Sequence, residues 1–272
     1  MAVFTNLLHP TDFSADGVPA FVHALRLAIA FQANLDLLHA DKADENPAWS
    51  EFPGVRDTLS LWGRLPPHAP PEAVAQLGLG IRKVRMREDD PAKAIAAAAR
   101  GRDLLVLATH GRSGVNRLLR GSVAEDASRS ASVPTLFIPY QARGFVDAAT
   151  GGVTLGRVLV PVYQDPDGIE IAAELVRRLA VPEGRFRILQ VGEARTPTSG
   201  PYPYVAGWHW EQEGRAGAVV TAILDEAHAW AADLVVMATR GHDSVGDTFL
   251  GSTMERVLRQ SPCPVLSVPA LT

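Results

Sequence analysis

The chain has 272 residues, 47% of them apolar and 21% charged, with a formal net charge of −4. Those fractions exclude a disordered chain, the missing basic excess speaks against nucleic acid as a partner, and no apolar run approaches the ~18 residues needed to cross a bilayer. The single cysteine, Cys263, excludes an internal disulfide framework, and the opening residues carry no basic, signal-type segment, so a cytoplasmic protein of one large or two small domains is expected.

Residues 3–9 are a short apolar run and predict a first strand. Residues 13–31 place Phe21, Leu25 and Ala28 at helical spacing and predict a helix. A second strand is expected at 34–40 and a third at 81–86, where apolar and basic residues alternate. The alanine-rich stretch 90–100 opens on Asp-Pro, a good helix start. A buried strand at 104–108, a helix at 121–131 and a last strand at 135–138 complete the unit. Strands separated by helices imply right-handed crossovers and a parallel sheet covered on both faces.

The unit then recurs. At an offset of 130, Asp103, Thr109, Gly111, Gly121, Ser122, Glu125 and Pro134 fall on Asp233, Thr239, Gly241, Gly251, Ser252, Glu255 and Pro264. Leu8 and Pro10 fall on Leu159 and Pro161 at an offset of 151, so the second copy lacks 21 residues in its middle. Its second strand, 187–191, runs into a loop rich in Pro, Gly and Tyr. The missing residues therefore belong to 42–78 of the first copy, including a helix near 71–77. Trp208, His209 and Trp210 alternate as a half-buried strand replacing the third. The reading is α/β: two Rossmann-like, flavodoxin-like domains in tandem, 1–143 and 157–272, joined by a linker at 144–156.

Parallel α/β sheets bind ligands at the carboxyl ends of their strands, so the loop after 104–108 is the informative one. Ser122 with Glu125, and Ser252 with Glu255, form capping boxes. Each Gly-Ser pair should thus open a helix whose free N–H groups make an anion site, and Gly121 and Gly251 let a phosphate come close. A plain helix cap is the competing explanation. No G-x-x-x-x-G-K-[ST] loop is present, no G-x-G-x-x-G follows the first strand, and no nucleophile elbow occurs. His9, His39 and His110 fall near strand ends beside Asp12, but without close ligand spacing no metal site is assigned.

The two loops read Ala108-x2-Gly111-x9-Gly121-Ser122 and Ala238-x2-Gly241-x9-Gly251-Ser252. They resemble G-x2-G-x9-G-[ST], which follows the fourth strand in nucleotide-binding members of the universal stress protein family. The resemblance covers nearly the whole chain, twice, in the tandem form of that family, with alanine at the first glycine of each copy. It implies an intramolecular pseudo-dimer in which the last strands, 135–138 and 265–268, pair, with further homodimerisation. It also implies a cytoplasmic stress-response regulator or chaperone-like factor that binds ATP or a related adenine nucleotide with Mg, and at most a weak ATPase. An interaction module without nucleotide is the alternative, and the sequence names no protein partner. By the resemblance, Asp12, next to Pro10 and Thr11, meets ribose or metal-bridged phosphate. Adenine lies against the backbone of Ala40. Leu107, Ala108, His110, Gly111, Arg112, Gly121, Ser122 and Val123 complete the pocket.

The second-copy equivalents are Tyr163, Val191, Ala238, Arg240, Gly241, Gly251 and Ser252, and this copy is read as degenerate. Residues 108–130 carry four arginines against two acids, whereas residues 238–260 carry three arginines against three acids, with Asp243 and Asp247 inside the loop. Tyr163 stands in place of the aspartate. One nucleotide per chain, in the first copy, is therefore expected, because phosphate needs positive charge and N–H donors.

Overall fold

A computed structural model of the chain describes residues 4–41, 48–109, 133–139, 142–162, 167–192, 202–239 and 252–269. The first half contributes strands β1 (Asn6–Pro10), β2 (Asn34–Asp41), β3 (Gly80–Arg87), β4 (Leu104–Thr109) and β5 (Thr135–Pro139). The second half contributes β6 (Arg157–Val162), β7 (Gly184–Val191), β8 (Trp208–Arg215), β9 (Leu234–Thr239) and β10 (Val265–Pro269). All ten form one sheet in the order β3-β2-β1-β4-β5-β10-β9-β6-β7-β8. Pairing is parallel within each half. The halves meet where β5 runs antiparallel to β10, with Leu136 opposite Leu266. The last strands thus pair as the family resemblance implies, and each covers the edge the other would expose.

Helices cover both faces. On one face α1 (Val18–Phe31), α2 (Val55–Leu61), α3 (Glu72–Gln76) and α5 (Asp167–Leu179) share a single core that crosses the boundary between the halves. On the other lie α4 (Pro91–Ala99), α6 (Val219–Ala229) and α7 (Ser252–Gln260). α7 opens at Ser252, where the Gly-Ser pair is expected to open a helix, and α4 opens after Asp90, whose carboxylate accepts from Ala92 N–H at 3.0 Å. The helix expected at 121–131 lies outside the described residues. Among the described residues no helix is long and apolar enough to cross a membrane.

Two expectations shift. The first helix begins at Val18, not at residue 13. Thr11 Oγ1 accepts from Phe13 N–H and Asp12 Oδ1 from Ser14 N–H, so these side chains offer the chain a turn in place of a helix. Phe13 then takes a left-handed φ of 64°, and a 3-10 turn at Ala15–Gly17 precedes the helix. The second shift concerns 144–156, expected as a linker on its small residues. Phe145, Val146 and Leu155 are buried in the shared core. Phe145 and Val146 donate their N–H groups to Nε2 of the buried His23, at 3.0 and 3.2 Å. Trp62, just after α2, donates Nε1–H to the Ala148 carbonyl at 2.9 Å. Its ring lies against Gly151, where φ is 67° and a Cβ would come within 2.5 Å. This stretch is a seated connection, and only glycine suits that contact.

The repeat is visible in one tie used twice. Asp103 Oδ2 accepts from the N–H groups of Thr5 and Asn6, and Asp233 Oδ2 accepts from those of Gly156 and Arg157. The repeated aspartate thus fastens the head of one central strand to the next in both halves. Asp233 also pairs with Arg143.

Candidate functional site

In a strand order of 3-2-1-4-5 the chain leaves β1 toward β2 on one side, while β4 lies on the other. The β1–β4 boundary is therefore the topological switch point, where a parallel sheet leaves a crevice at its carboxyl end. Pro10 ends β1, and Thr11, Asp12 and Phe13 form the turn above it. Thr11 N–H still bonds the Leu38 carbonyl at 2.8 Å, which carries the β1–β2 ladder into the turn. Leu107 and Ala108 lie near the end of β4, buried, and Ala40 lies half-buried near the end of β2. The fold thus brings Pro10, Thr11, Asp12, Ala40, Leu107 and Ala108 to one edge of the sheet.

His110, Gly111, Arg112, Gly121, Ser122 and Val123 lie outside the described residues, as do Tyr163, Arg240, Gly241 and Gly251 of the second copy. Val191 ends β7 and Ala238 is half-buried in β9, at the corresponding edge of the second half.

Asp12 directs only one of its oxygens into the turn. Oδ1 accepts from Ser14 N–H at 3.0 Å and from its hydroxyl at 2.6 Å. Its Oδ2 has no hydrogen-bond partner among the described residues. Phe13, held in its left-handed conformation, stacks on His39 with ring centroids 4.0 Å apart. A bulky residue at positive φ persists only where its surroundings over-determine it. Here His39 Nδ1–H donates to the Thr11 carbonyl at 2.7 Å, and Phe52 meets the Phe13 ring edge-on at 5.0 Å. Trp49 stacks on Phe52 in turn. The extra segment of the first half therefore walls this edge with two aromatic rings.

His9 lies beneath the turn in β1. Its Nδ1–H donates to the Val106 carbonyl of β4 at 3.0 Å, which leaves Nε2 a bare acceptor without a partner among the described residues. Burial drives its pKa down from 6.5 to about 4, against the opposing pull of the Val106 carbonyl and of Asp12. Neutral His9 ties β1 to β4 directly under the crevice.

Phe52, Trp49 and the Phe13–His39 stack went unread in the sequence. The only available signal was the insert itself, with Trp49, Phe52 and Trp62 in it, and nothing local says where an insert folds. Among the described residues no three His, Cys, Asp or Glu side chains cluster as metal ligands, and both His9 and His39 donate to backbone carbonyls.

A sheet of this order, doubled through its last strands and carrying a turn at the switch point, defines a tandem Rossmann-like protein. The family model described as "Universal stress protein family" matches residues 4–139 and 206–269, and the chain belongs to that family. A universal stress protein of Thermus aquaticus is 50% identical over 52 residues, 19% of this chain and 38% of that one. Another, from Synechocystis, is 34% identical over 88 residues, 32% of this chain and 52% of that one. The chain thus spans about half or less of the length of these two relatives. A universal stress protein crystal structure from Archaeoglobus fulgidus superposes with a TM-score of 0.62 at 19% identity, over 97% of this chain and 96% of that one.

Proposed function

We propose that the first half, residues 1–143, binds one adenine nucleotide per chain at the β1–β4 switch point and that the protein acts as a nucleotide-dependent stress-response regulator in the cytoplasm. Adenine would lie against the backbone of Ala40, and ribose and phosphates between Asp12 and the 111–122 loop. One observation carries the reading: Asp12 is fixed by Ser14 through Oδ1 alone and keeps Oδ2 for a ligand, in a turn braced by Phe13, His39 and Phe52. A preformed acceptor with fixed aromatic walls suits a ribose hydroxyl or magnesium-bridged phosphate, since binding loses least where the site is ordered beforehand. Positive charge and the Gly121–Ser122 helix start, read from the sequence, would supply the phosphate contacts.

Titration calorimetry with ATP tests this. One site per chain is expected, weakened at least tenfold by Asp12→Asn and by Gly121→Val in variants that unfold at the parent temperature. Ala108→Gly, which restores the family glycine, should tighten it. Two sites per chain would overturn the assignment to the first half, and an absence of binding in both parent and Ala108→Gly would favour an interaction module.

A further inference from the structure

A groove of about 430 Å3 opens beside the edge strand β3, on the face covered by α4. Asp36, near the start of β2, and Arg102, just before β4, line it together with Arg82 of β3, whereas Lys83 and Arg85 of that strand, which also border it, alternate to the opposite face, where Lys83 Nζ donates to the Trp49 carbonyl and Arg85 pairs with Asp41. Leu8, Val84, Met86 and Ala98 give it an apolar floor. The volume falls in the lower part of the ~300–1,000 Å3 range of small-molecule sites.

The charge at its mouth is unbalanced. Arg82 donates Nε–H and Nη2–H to the two oxygens of Asp36, at 2.9 and 2.6 Å. Arg102 donates to the same carboxylate at 3.0 and 2.6 Å. Two guanidinium groups therefore share one carboxylate and leave one positive charge in excess. The Arg82 side chain is 64% exposed and faces water at the rim.

The second half builds the same place differently. Counting back from the paired Asp103 and Asp233, Ala96 and Arg100 correspond to Glu226 and Trp230. There the buried Glu226 binds Arg187 and Arg215, and the Arg187 guanidinium lies 4.3 Å above the Trp230 ring. By strand register, Glu213 and Arg215 stand where Val84 and Met86 floor the groove. The second half fills its position with a large ring and a charged network. The first half offers an apolar floor, free volume and, among the side chains of the α4 face, one positive charge beyond the Asp36 carboxylate.

We propose that this groove binds an aliphatic monocarboxylate of medium chain length, its methylene groups on Val84, Met86 and Ala98 and its carboxylate against Arg82. One excess charge matches a monoanion, and an apolar floor without hydrogen-bonding groups matches an alkyl chain.

The test is a titration of the full chain with sodium octanoate at fixed ionic strength, followed by calorimetry and by methyl resonances of Met86 and Val84. One saturable site is expected, with shifts confined to those first-half methyls, no comparable response to the neutral octanamide, a tenfold or greater loss in Arg82→Gln and complete loss in Ala98→Phe. Octanamide binding as tightly as octanoate would overturn the anion assignment. An absence of saturation, or shifts that spare Met86 and Val84 in the parent protein, would overturn the site, whether or not either variant folds.

Discussion

The two halves solve one packing problem with opposite signs. In the first, Asp36 on β2 lies opposite Arg82 on β3 and is also held by Arg102. In the second, the equivalent residue on β7 is Arg187, opposite Glu211 on β8 and also held by Glu226. An anion between two cations has become a cation between two anions. The sheet therefore requires a complementary cross-strand pair at this register, while its polarity is free. The inversion also sorts the strands, since β3 docked on β7 would set Arg82 against Arg187, and like charges directly opposite each other repel. The halves differ as well in what they place at matching points: the buried His9 and His23 lie in the first, where the second has the buried Val160 and, aligned on the left-handed helix ends Gln32 and Ala180, the partly buried Ile171.

The largest expected effect uses those histidines. Burial lowers both pKa values from 6.5 to about 4, against opposing hydrogen bonds to backbone carbonyls. The folded protein then takes up these protons only near pH 4, whereas the unfolded chain takes them up below 6.5. The stability they contribute is whole above pH 6.5 and is lost as the pH falls toward 4, about 3 kcal/mol per histidine at 1.36 kcal/mol per pKa unit. Protonated His23 could no longer accept the N–H groups of Phe145 and Val146. Urea unfolding at pH 7 and pH 4.5 should show the fall, and His9→Val, which installs the second-half residue, should remove about half of the pH dependence. An unchanged slope in that variant would remove His9 from the account.

The charge clusters come next. Glu226 is 1% exposed and holds two arginines, but Arg187 keeps Glu211 and the half-exposed Arg215 keeps Glu213, so Glu226→Ala should cost about 1–3 kcal/mol. Asp36→Ala should cost more, because Arg102, 22% exposed, is left without a carboxylate among the described residues, while Arg82 can turn to water. Denaturant midpoints of the two variants would decide the order, and equal losses would show that the second carboxylates do not matter.

The smallest effect separates the caps of two equivalent helices. Asp90 caps α4 through its side chain, whereas α6 begins after Ala218, which has no side chain to do so. Asp90→Ala should lower stability by about 1 kcal/mol and Ala218→Asp should raise it by a similar amount. Thermal melts of both should move in opposite directions.

Much of this molecule was legible without coordinates. The recurring glycines, Asp103 and Asp233, and the offsets of 130 and 151 disclosed two copies and located the deletion between the second and third strands. A parallel sheet with right-handed crossovers puts the ends of strands one, two and four on one edge, and the family resemblance then singled out Asp12, Ala40 and Ala108 there. These are local and periodic facts, fixed by side-chain spacing and backbone propensity. The tertiary structure alone decided that small-residue 144–156 is clamped by His23 and Trp62, that Phe52 of the insert closes on Phe13 and His39, and that Asp36 and Arg187 sit at equivalent points with opposite charge. Each of those contacts joins residues 13 to 123 positions apart. Their partners are chosen by burial and by charge compensation in the folded core, and no local sequence pattern records that choice.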